Sequence, residues 1–181
     1  GTLFSNNGEN VSLGSNGFLH EYVSLHGATN SISLIYNEDV NISEIRIFTD
    51  GDTPADIQKW NNISSSGLML FATHPGDELT LFAGLLPTYI NQNKNVHVVY
   101  LTKYDTTNAL DINKMHEHLN ALWALGLTNY PTLGLISNID SNDIESAKLD
   151  ITKSNTSEED IVNLYVREIR KYKPDVIVGH D

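Results

Sequence analysis

From residue 68 onward, short apolar runs alternate with longer stretches whose apolar residues recur at helical spacing. This alternation constrains the fold most, because helical crossovers connect the parallel strands of one sheet. The predicted elements are strand 68–73, helix 78–92, strand 96–102, helix 111–126, strand 131–137, helix 156–173 and strand 175–181. We therefore predict an α/β domain over residues 67–181, built as a parallel sheet with helices on both faces.

The first 66 residues have a different character. They are rich in Asn, Ser and Gly, and their short apolar runs are β-branched or alternate with polar residues. Runs at 18–25, 31–36 and 42–48 predict strands separated by polar turns. A stretch of small and polar residues at 61–67 marks the predicted boundary. We therefore predict a small β-rich N-terminal segment, residues 1–66, ahead of the α/β domain.

The amino-acid composition excludes several kinds of site and partner. The chain of 181 residues has no cysteine, so any metal ion must be held by His, Asp or Glu. Its formal net charge of −12, with only 11 Lys and Arg, argues against nucleic acid as a partner. No apolar run approaches the roughly 18 residues that a membrane-spanning helix needs, so we predict no insertion into a membrane.

Polar residues gather where the predicted parallel strands end. The first strand is followed by His74, the second by residues 102–105, and the last strand ends at His180 and Asp181. In open α/β sheets ligands bind at the carboxyl ends of the strands. We therefore expect His74, His180 and Asp181 to lie near a common pocket.

The turn after the first strand, His74-Pro75-Gly76-Asp77-Glu78, concentrates a histidine and two carboxylates. An imidazole and a carboxylate three residues apart suit zinc or a similar divalent ion. An acidic residue at a helix start also serves as a cap or complements the helix dipole. A phosphate or nucleotide site at this helix start is a further interpretation, which the two carboxylates disfavour. Spacing alone leaves these alternatives open.

Three separated motifs resemble the LmbE/PIG-L family of deacetylases. THPGDELTLFAGLL resembles the family's (A/T)HPDDE turn, and KMHEHLNALWALG matches its Arg/Glu/Ala/Leu-Gly spacing on a helix. KPDVIVGHD matches the strand before the family's second histidine motif, so the resemblance covers about residues 67–181 in the expected order. The run VNISEIRIFTDGDTPADIQKW is similar to a leader found before the deacetylase domain in some bacterial members.

This resemblance implies a Rossmann-like fold and a zinc-dependent hydrolase that removes the N-acetyl group from a GlcNAc-type sugar or glycan. It implies that His74 and Asp77 are zinc ligands, and that Gly76 occupies the position of the usual catalytic base, an Asp. The family's third zinc ligand belongs to a motif that would follow Asp181. Lys114 stands where the family often has a substrate-contacting Arg, and it keeps the charge without the bidentate fork.

Two hypotheses follow from these matches and departures. The first is a metal-dependent N-acetyl-sugar deacetylase, impaired by Gly76 and by a domain truncated at its C-terminus, with His180 and Asp181 as further catalytic candidates. The second is a non-catalytic carbohydrate-binding or surface module that retains the deacetylase fold.

Overall fold

The structure is a computed structural model of the chain. It describes residues 1–5, 7–8, 10–13, 21–27, 30–42, 44–49, 51–105, 107–137, 139, 141 and 143–180. The chain divides into two compact units, Gly1–Lys59 and Trp60–Asp181. The boundary predicted between residues 66 and 67 falls inside the second of these units.

The first unit contains a small antiparallel sheet. Strands β1 (Thr2–Ser5), β2 (Asn10–Ser12) and β3 (Ile32–Ile35) are arranged in the order β2-β1-β3. The prediction of a strand at 31–36 is confirmed by β3, whereas β1 and β2 were not predicted. Leu3 in the central strand is buried, as expected for a side chain with a neighbour on both sides.

Two other strand predictions in this unit are wrong where the structure describes them. Residues 21–25 of the predicted strand 18–25 form no strand, and residues 18–20 lie outside the described residues. The described residues of 42–48 also form no strand, and Ile45 and Ile47 are 57% and 79% exposed. Alternation identifies a strand only where a neighbouring strand pairs with it and covers one face, and neither condition holds for these isoleucines.

The second unit is built on a parallel sheet. Strand β4 (Leu68–Ala72) pairs in parallel with β5 (Val96–Tyr100) on one side and with β6 (Val176–Gly179) on the other. The predicted strand 131–137 is present only as two parallel bridges, Val99 to Thr132 and Thr102 to Ile136, at the outer edge of β5. If β4, β5, the edge segment 131–137 and β6 are numbered 1 to 4 in chain order, their order across the sheet is 3-2-1-4. This order confirms the predicted Rossmann-like arrangement.

Gly134 shows why this edge segment approaches β5 so closely. Its backbone N–H donates to the carbonyl oxygen of Thr102 at 3.1 Å. A Cβ atom at residue 134 would collide with the carbonyl group of Leu101. Only glycine permits this approach, which also brings the neighbouring Thr132 against β5.

Helices cover both faces of the sheet. One face carries a core in which Leu70 of β4 and Val98 of β5 pack with Leu86 and Leu122 of two helices. On the opposite face, Met69 and Val99 pack with Tyr172 of the last long helix. The helices are α1 (Asp77–Thr80), α2 (Leu85–Asn91), α3 (Ala109–Ala124), α4 (Ile144–Lys153) and α5 (Glu158–Tyr172). No helix in the described parts of the chain combines the length and apolar character required to cross a membrane.

The predicted helix 78–92 is interrupted, and Pro87 supplies the physical reason. Proline in a helix interior lacks an N–H donor and its ring clashes with the carbonyl four residues earlier, here that of Ala83. The chain stops α1 at Thr80 and restarts α2 after Gly84, the N-cap residue. Pro87 then lies in the first turn of α2, where the missing N–H costs nothing.

Capping residues fix the other helix boundaries. α3 starts after Asn108, whose side chain accepts a hydrogen bond from the backbone N–H of Leu110, and not at the predicted Asp111. α5 starts with a capping box between Ser157 and Asp160. Helix α4, capped by Asp143, was not predicted. It has no buried residue, and its Ile144 and Leu149 side chains are exposed.

Candidate functional site

The candidate site lies where the sheet reverses its strand order. β4 is the first strand of the domain, and the chain proceeds from it to β5 on one side and later returns to β6 on the other. The carboxyl ends of β4 and β6 therefore flank the switch point at which such sheets bind ligands. His74 follows β4 and His180 follows β6, and both side chains approach Asp77.

Hydrogen bonds within the turn hold Asp77 in place. Its Oδ2 atom accepts a hydrogen bond from the backbone N–H of His74 at 2.8 Å, and its own N–H donates to the carbonyl oxygen of His74 at 3.1 Å. The carboxylate is 22% exposed, so it is shielded but still reachable from solvent. The turn thus presents one carboxylate oxygen in a fixed position.

The ring of His74 is oriented by a backbone carbonyl. Its Nε2 atom lies 2.7 Å from the carbonyl oxygen of Ile139. A carbonyl oxygen only accepts, so Nε2 carries the proton and Nδ1 of the neutral ring carries a lone pair. Nδ1 lies 3.7 Å from Oδ2 of Asp77. Two lone-pair atoms this close favour a cation between them, and a carbonyl partner on the second ring nitrogen is typical of metal-ligating histidines.

The donor atoms of this site, imidazole nitrogens and a carboxylate oxygen, are of the kinds that bind zinc in proteins. Donor atoms on one tetrahedral zinc ion, with bonds of about 2 Å, lie about 3.3 Å apart. Nδ1 of His74 and Nε2 of His180 lie 3.7 and 3.6 Å from Oδ2 of Asp77. Within the described part of the chain, however, no group of three or more His, Asp or Glu side chains is arranged to hold a metal ion. His74 and Asp77 are therefore a two-residue donor set, with His180 beside it.

Gly76 adopts a backbone conformation that other residues rarely take. Its φ is +108°, and among the described residues beyond its two chain neighbours no heavy atom lies within 4 Å of the position that a Cβ would occupy. The space in front of the turn is thus open at residue 76. Glycine has no side chain that could accept a proton at this position. An aspartate would have room but would pay for the left-handed backbone, a cost of about 1–2 kcal/mol.

Glu78, the last residue of the turn motif, points inward. Its side chain is fully buried, and Oε2 accepts a hydrogen bond from the backbone N–H of Gly76 at 2.9 Å. Burial alone would raise the pKa of Glu78, but contacts with His118 and with the Tyr100 hydroxyl outweigh it and lower the pKa below its ordinary value. The turn therefore rests on a buried carboxylate that stays ionised.

His118 of α3 and Tyr100 of β5 complete this buried group, which we call the open cluster. The Tyr100 hydroxyl and Oε1 of Glu78 lie 2.8 and 3.2 Å from the same His118 nitrogen, Nε2. Burial, reinforced by the Glu78 charge, raises the pKa of Tyr100 well above its ordinary value, so the phenol keeps its proton. Among the described residues, Oε1 of Glu78 and Nδ1 of His118 are buried without a hydrogen-bond partner.

A second buried group, which we call the closed cluster, surrounds His97 of β5. Nδ2 of Asn129 lies 3.1 Å from Nδ1 of His97, and Nε2 of His97 lies 3.0 Å from Oγ1 of Thr132. Thr132 in turn donates to Oε2 of Glu168 at 2.8 Å. Since the Asn129 amide donates to Nδ1, the ring is neutral and donates from Nε2, so one relay runs from Asn129 to Glu168.

The remaining predicted site residues are placed as follows. Lys114 lies on α3, one helical turn before His118; its side chain is 67% exposed and Nζ lies 3.4 Å from Oδ1 of Asp111. Asp181 lies outside the described residues. The substrate role of Lys114 and the catalytic role of Asp181 stay predictions.

Sequence reasoning missed the open cluster, although α3 carries a signal for it. His118 is buried together with Met115, Leu119 and Leu122 on the apolar face of the helix. A histidine within an apolar stripe must find a polar partner inside the protein. That requirement, combined with the Glu78 carboxylate in the turn motif, is the signal that indicates a pair between His118 and Glu78.

A polar cleft opens beside the carboxyl end of β5. It has a volume of about 560 Å³, and its lining includes Lys103, which follows β5, and Ser137, which follows the edge segment. Asp150 and Lys153 of α4 form another wall. Mixed amine, carboxylate and hydroxyl groups of this kind suit the hydroxyl groups of a sugar.

Comparison with known proteins adds a family to this geometry. Residues 69–181 match the family model described as PIG-L, GlcNAc-PI de-N-acetylase. The match begins in β4 and covers the turn, α3 and β6. No curated protein matches the chain significantly.

Proposed function

Because the chain belongs to the PIG-L family of GlcNAc-PI de-N-acetylases, we propose that it hydrolyses the N-acetyl amide of a GlcNAc-type glycan at the turn after β4. The observation that carries this proposal is the approach of His74 Nδ1 and His180 Nε2 to one oxygen of Asp77, at 3.7 and 3.6 Å. Both histidines follow strands at the switch point of the sheet, where substrates bind in this fold class.

His74 and Asp77 are the residues that would hold the metal. The family is generally zinc-dependent, and the neutral imidazole and the carboxylate match the ligands that zinc prefers. A zinc ion in such a site lowers the pKa of water and polarises a carbonyl group. With two protein donors, we expect weaker zinc binding than at a site with three.

His180 is proposed to move the proton in place of the missing aspartate. Its side chain is 33% exposed and packs edge-on against Phe82, so the ring is both positioned and reachable by water. Water adds to the carbonyl carbon of the acetamide while its proton passes to Nε2 of His180. The C–N bond then breaks, His180 returns the proton to the amine nitrogen, and a free amine leaves together with acetic acid, which releases its remaining proton to solvent to become acetate.

The experiment that tests this proposal measures zinc binding and acetate release together. Wild-type protein loaded with zinc should release acetate from an N-acetylglucosaminyl substrate, and His180→Ala should lower kcat by about 10²–10⁴-fold with little effect on zinc affinity. His74→Ala should lose zinc and activity together. His116→Ala, on α3, is the matched histidine control and should leave both unchanged. Absence of zinc binding in the wild type would contradict the metal proposal.

The glycine in the turn supplies a second, independent test. Gly76→Asp has room for its side chain and restores a carboxylate where the family has its base. We expect kcat to rise by about 10²-fold or more, at a cost of about 1–2 kcal/mol in the free energy of unfolding. Gly76→Asn carries the same backbone strain without a base and is the control. Equal rates for the two variants would show that no base is needed at this position.

A second candidate function is a glycan-binding module without catalysis, and Gly76 is the observation that favours it. Such a module would bind N-acetylated glycans in the polar cleft and release no acetate. Binding measured by calorimetry, with no acetate released by either the wild type or Gly76→Asp, would favour the module over the enzyme.

A further inference from the structure

We infer that His118, acting through Glu78, is a positioning residue for the metal-binding turn. The inference rests on the proposed function, because the turn matters only if His74 and Asp77 hold an ion. Glu78 belongs to the turn motif, whereas His118 lies forty residues later on α3.

The contacts run from α3 to the turn in two steps. Nε2 of His118 lies 3.2 Å from Oε1 of Glu78. The other carboxylate oxygen of Glu78 accepts the N–H of Gly76 at 2.9 Å. Gly76 directly precedes Asp77 and adopts the left-handed backbone that starts α1. Any rotation of the Glu78 carboxylate therefore displaces the N–H of Gly76 and, with it, the Asp77 side chain.

Burial makes this arrangement sensitive to His118. Glu78 is fully buried and His118 is 7% exposed, so water cannot replace either partner. Tyr100 also contacts Nε2 of His118, so the ring is held from β5 as well as from α3. A buried carboxylate that loses its partner turns toward another donor or toward solvent. The turn would then lose the hydrogen bond between the Gly76 N–H and the Glu78 carboxylate.

The unpartnered atoms distinguish this cluster from ordinary core packing. Within the described part of the chain, Oε1 of Glu78 and Nδ1 of His118 are buried without a hydrogen bond, an arrangement that destabilises a fold. The closed cluster around His97 shows that this fold can pair its buried histidine fully. The open cluster thus gives up hydrogen bonds that an ordinary core cluster would make, as expected if its geometry serves to hold the turn.

The test compares zinc affinity in variants of the two clusters. His118→Phe should raise the Kd for zinc, measured by calorimetry, by about 10–100-fold, the usual effect of removing a group that orients a metal ligand. The double variant Glu78→Gln/His118→Phe buries no lone charge, so it provides a folded protein if the single variant does not fold, and it should show the same loss. His118→Gln keeps an N–H donor and should recover part of the affinity.

Thr132→Val is the matched control, because it removes one hydrogen bond from the closed cluster. Its Kd for zinc should stay within about twofold of the wild type. Unchanged affinity in the His118 variants, with normal zinc binding by the wild type, would overturn the inference and leave the proposed function standing.

Hydrogen exchange of the Gly76 amide tests the inference without metal. The N–H of Gly76 should exchange about tenfold faster in the double variant than in the wild type, and Thr132→Val should not change it. If the wild type binds no zinc, the proposed function fails, and this measurement still decides whether the open cluster holds the turn. Equal exchange rates in the wild type and the double variant would show that the cluster does not hold the turn.

Discussion

The two buried histidines of β5 and α3 have similar surroundings but opposite hydrogen-bonding outcomes. His97 lies in the closed cluster, where both ring nitrogens have partners and the relay ends on Glu168. His118 lies in the open cluster, where one nitrogen faces two oxygens and the other has no hydrogen-bond partner among the residues that the structure describes. The closed cluster joins the edge segment to α5, whereas the open cluster lies beneath the candidate metal site.

This difference in hydrogen bonding distinguishes a cluster that stabilises the fold from a cluster that positions the site. A fully paired buried network rigidifies the core, and removing one member leaves the others unsatisfied. A network with unpaired members contributes less to stability, so its retention points to another role. We therefore expect substitutions in the closed cluster to change stability and substitutions in the open cluster to change the site.

The largest expected loss of stability comes from Glu168→Ala. The side chain is almost fully buried, accepts from Thr132, and pairs with Nε of Arg167 at 2.9 Å. Its removal leaves a cavity and unpaired donors, so the free energy of unfolding should fall by about 3–4 kcal/mol. Urea denaturation measures this loss. Glu159→Ala, at an exposed position on the same helix, should change stability by less than about 0.5 kcal/mol.

Acid should weaken the closed cluster in two stages. Burial lowers the pKa of His97, so the unfolded chain binds this proton first and stability falls as pH drops below about 6.5. Burial would raise the pKa of Glu168, but its contacts with His97, Thr132 and Arg167 outweigh burial and lower this pKa to about 2. Its contribution is complete above the unfolded pKa, near 4.5, and is lost as pH falls toward 2.

The expected loss between pH 7 and pH 3 is at least about 2 kcal/mol, from Glu168 alone. Denaturation midpoints at a series of pH values give the profile. Glu168→Gln should remove the stage below pH 4.5 and keep the one that begins near pH 6.5. A wild-type profile that is flat from pH 7 to pH 3 would contradict the assignment of both charge states.

A smaller effect is expected for Thr132→Val. This nearly isosteric change removes the hydroxyl that links His97 to Glu168 and should cost about 1 kcal/mol or slightly more. Thermal denaturation is sufficient to detect it. A neutral outcome would mean that His97 donates directly to Glu168, whose Oε2 lies 3.7 Å from Nε2.

The smallest effect is expected for Tyr100→Phe in the open cluster. Loss of the hydroxyl frees Nε2 of His118 to donate fully to Oε1 of Glu78, an atom that otherwise accepts no hydrogen bond from the described residues. Gain and loss should nearly cancel, so stability should change by less than about 0.5 kcal/mol. A loss larger than that of Thr132→Val would erase the proposed distinction between the clusters.

Much of the second unit could be predicted from its sequence, because continuous apolar runs such as 68–73 have one stable environment, the centre of a covered sheet. The end of β6 could be placed near His74 for the same reason, which is how His180 was selected. Pairing partners were harder to foresee. The run at 42–48 alternates well but forms no strand where described, and 131–137 contacts β5 only through bridges.

The site was predicted less completely than the sheet, for two physical reasons. The motif identifies His74 and Asp77, but their support depends on a contact between residues 78 and 118 that only the packing of α3 creates. The tautomer of His74 depends on the carbonyl of Ile139, and a backbone group carries no sequence signature. Asp181 lies outside the described residues, and its role stays a prediction.

The break between α1 and α2 has a mechanical consequence. A continuous helix over 78–92 would behave as a stiff lever, and any displacement of Asp77 would move the distant end that packs on β5. Because α1 ends at Thr80 and α2 begins at Leu85, four irregular residues absorb such a displacement. We therefore expect a small shift of the turn to leave Leu86 packed in the core. Pro87, which causes the break, thereby makes residues 81–84 a short flexible connection within an otherwise rigid domain.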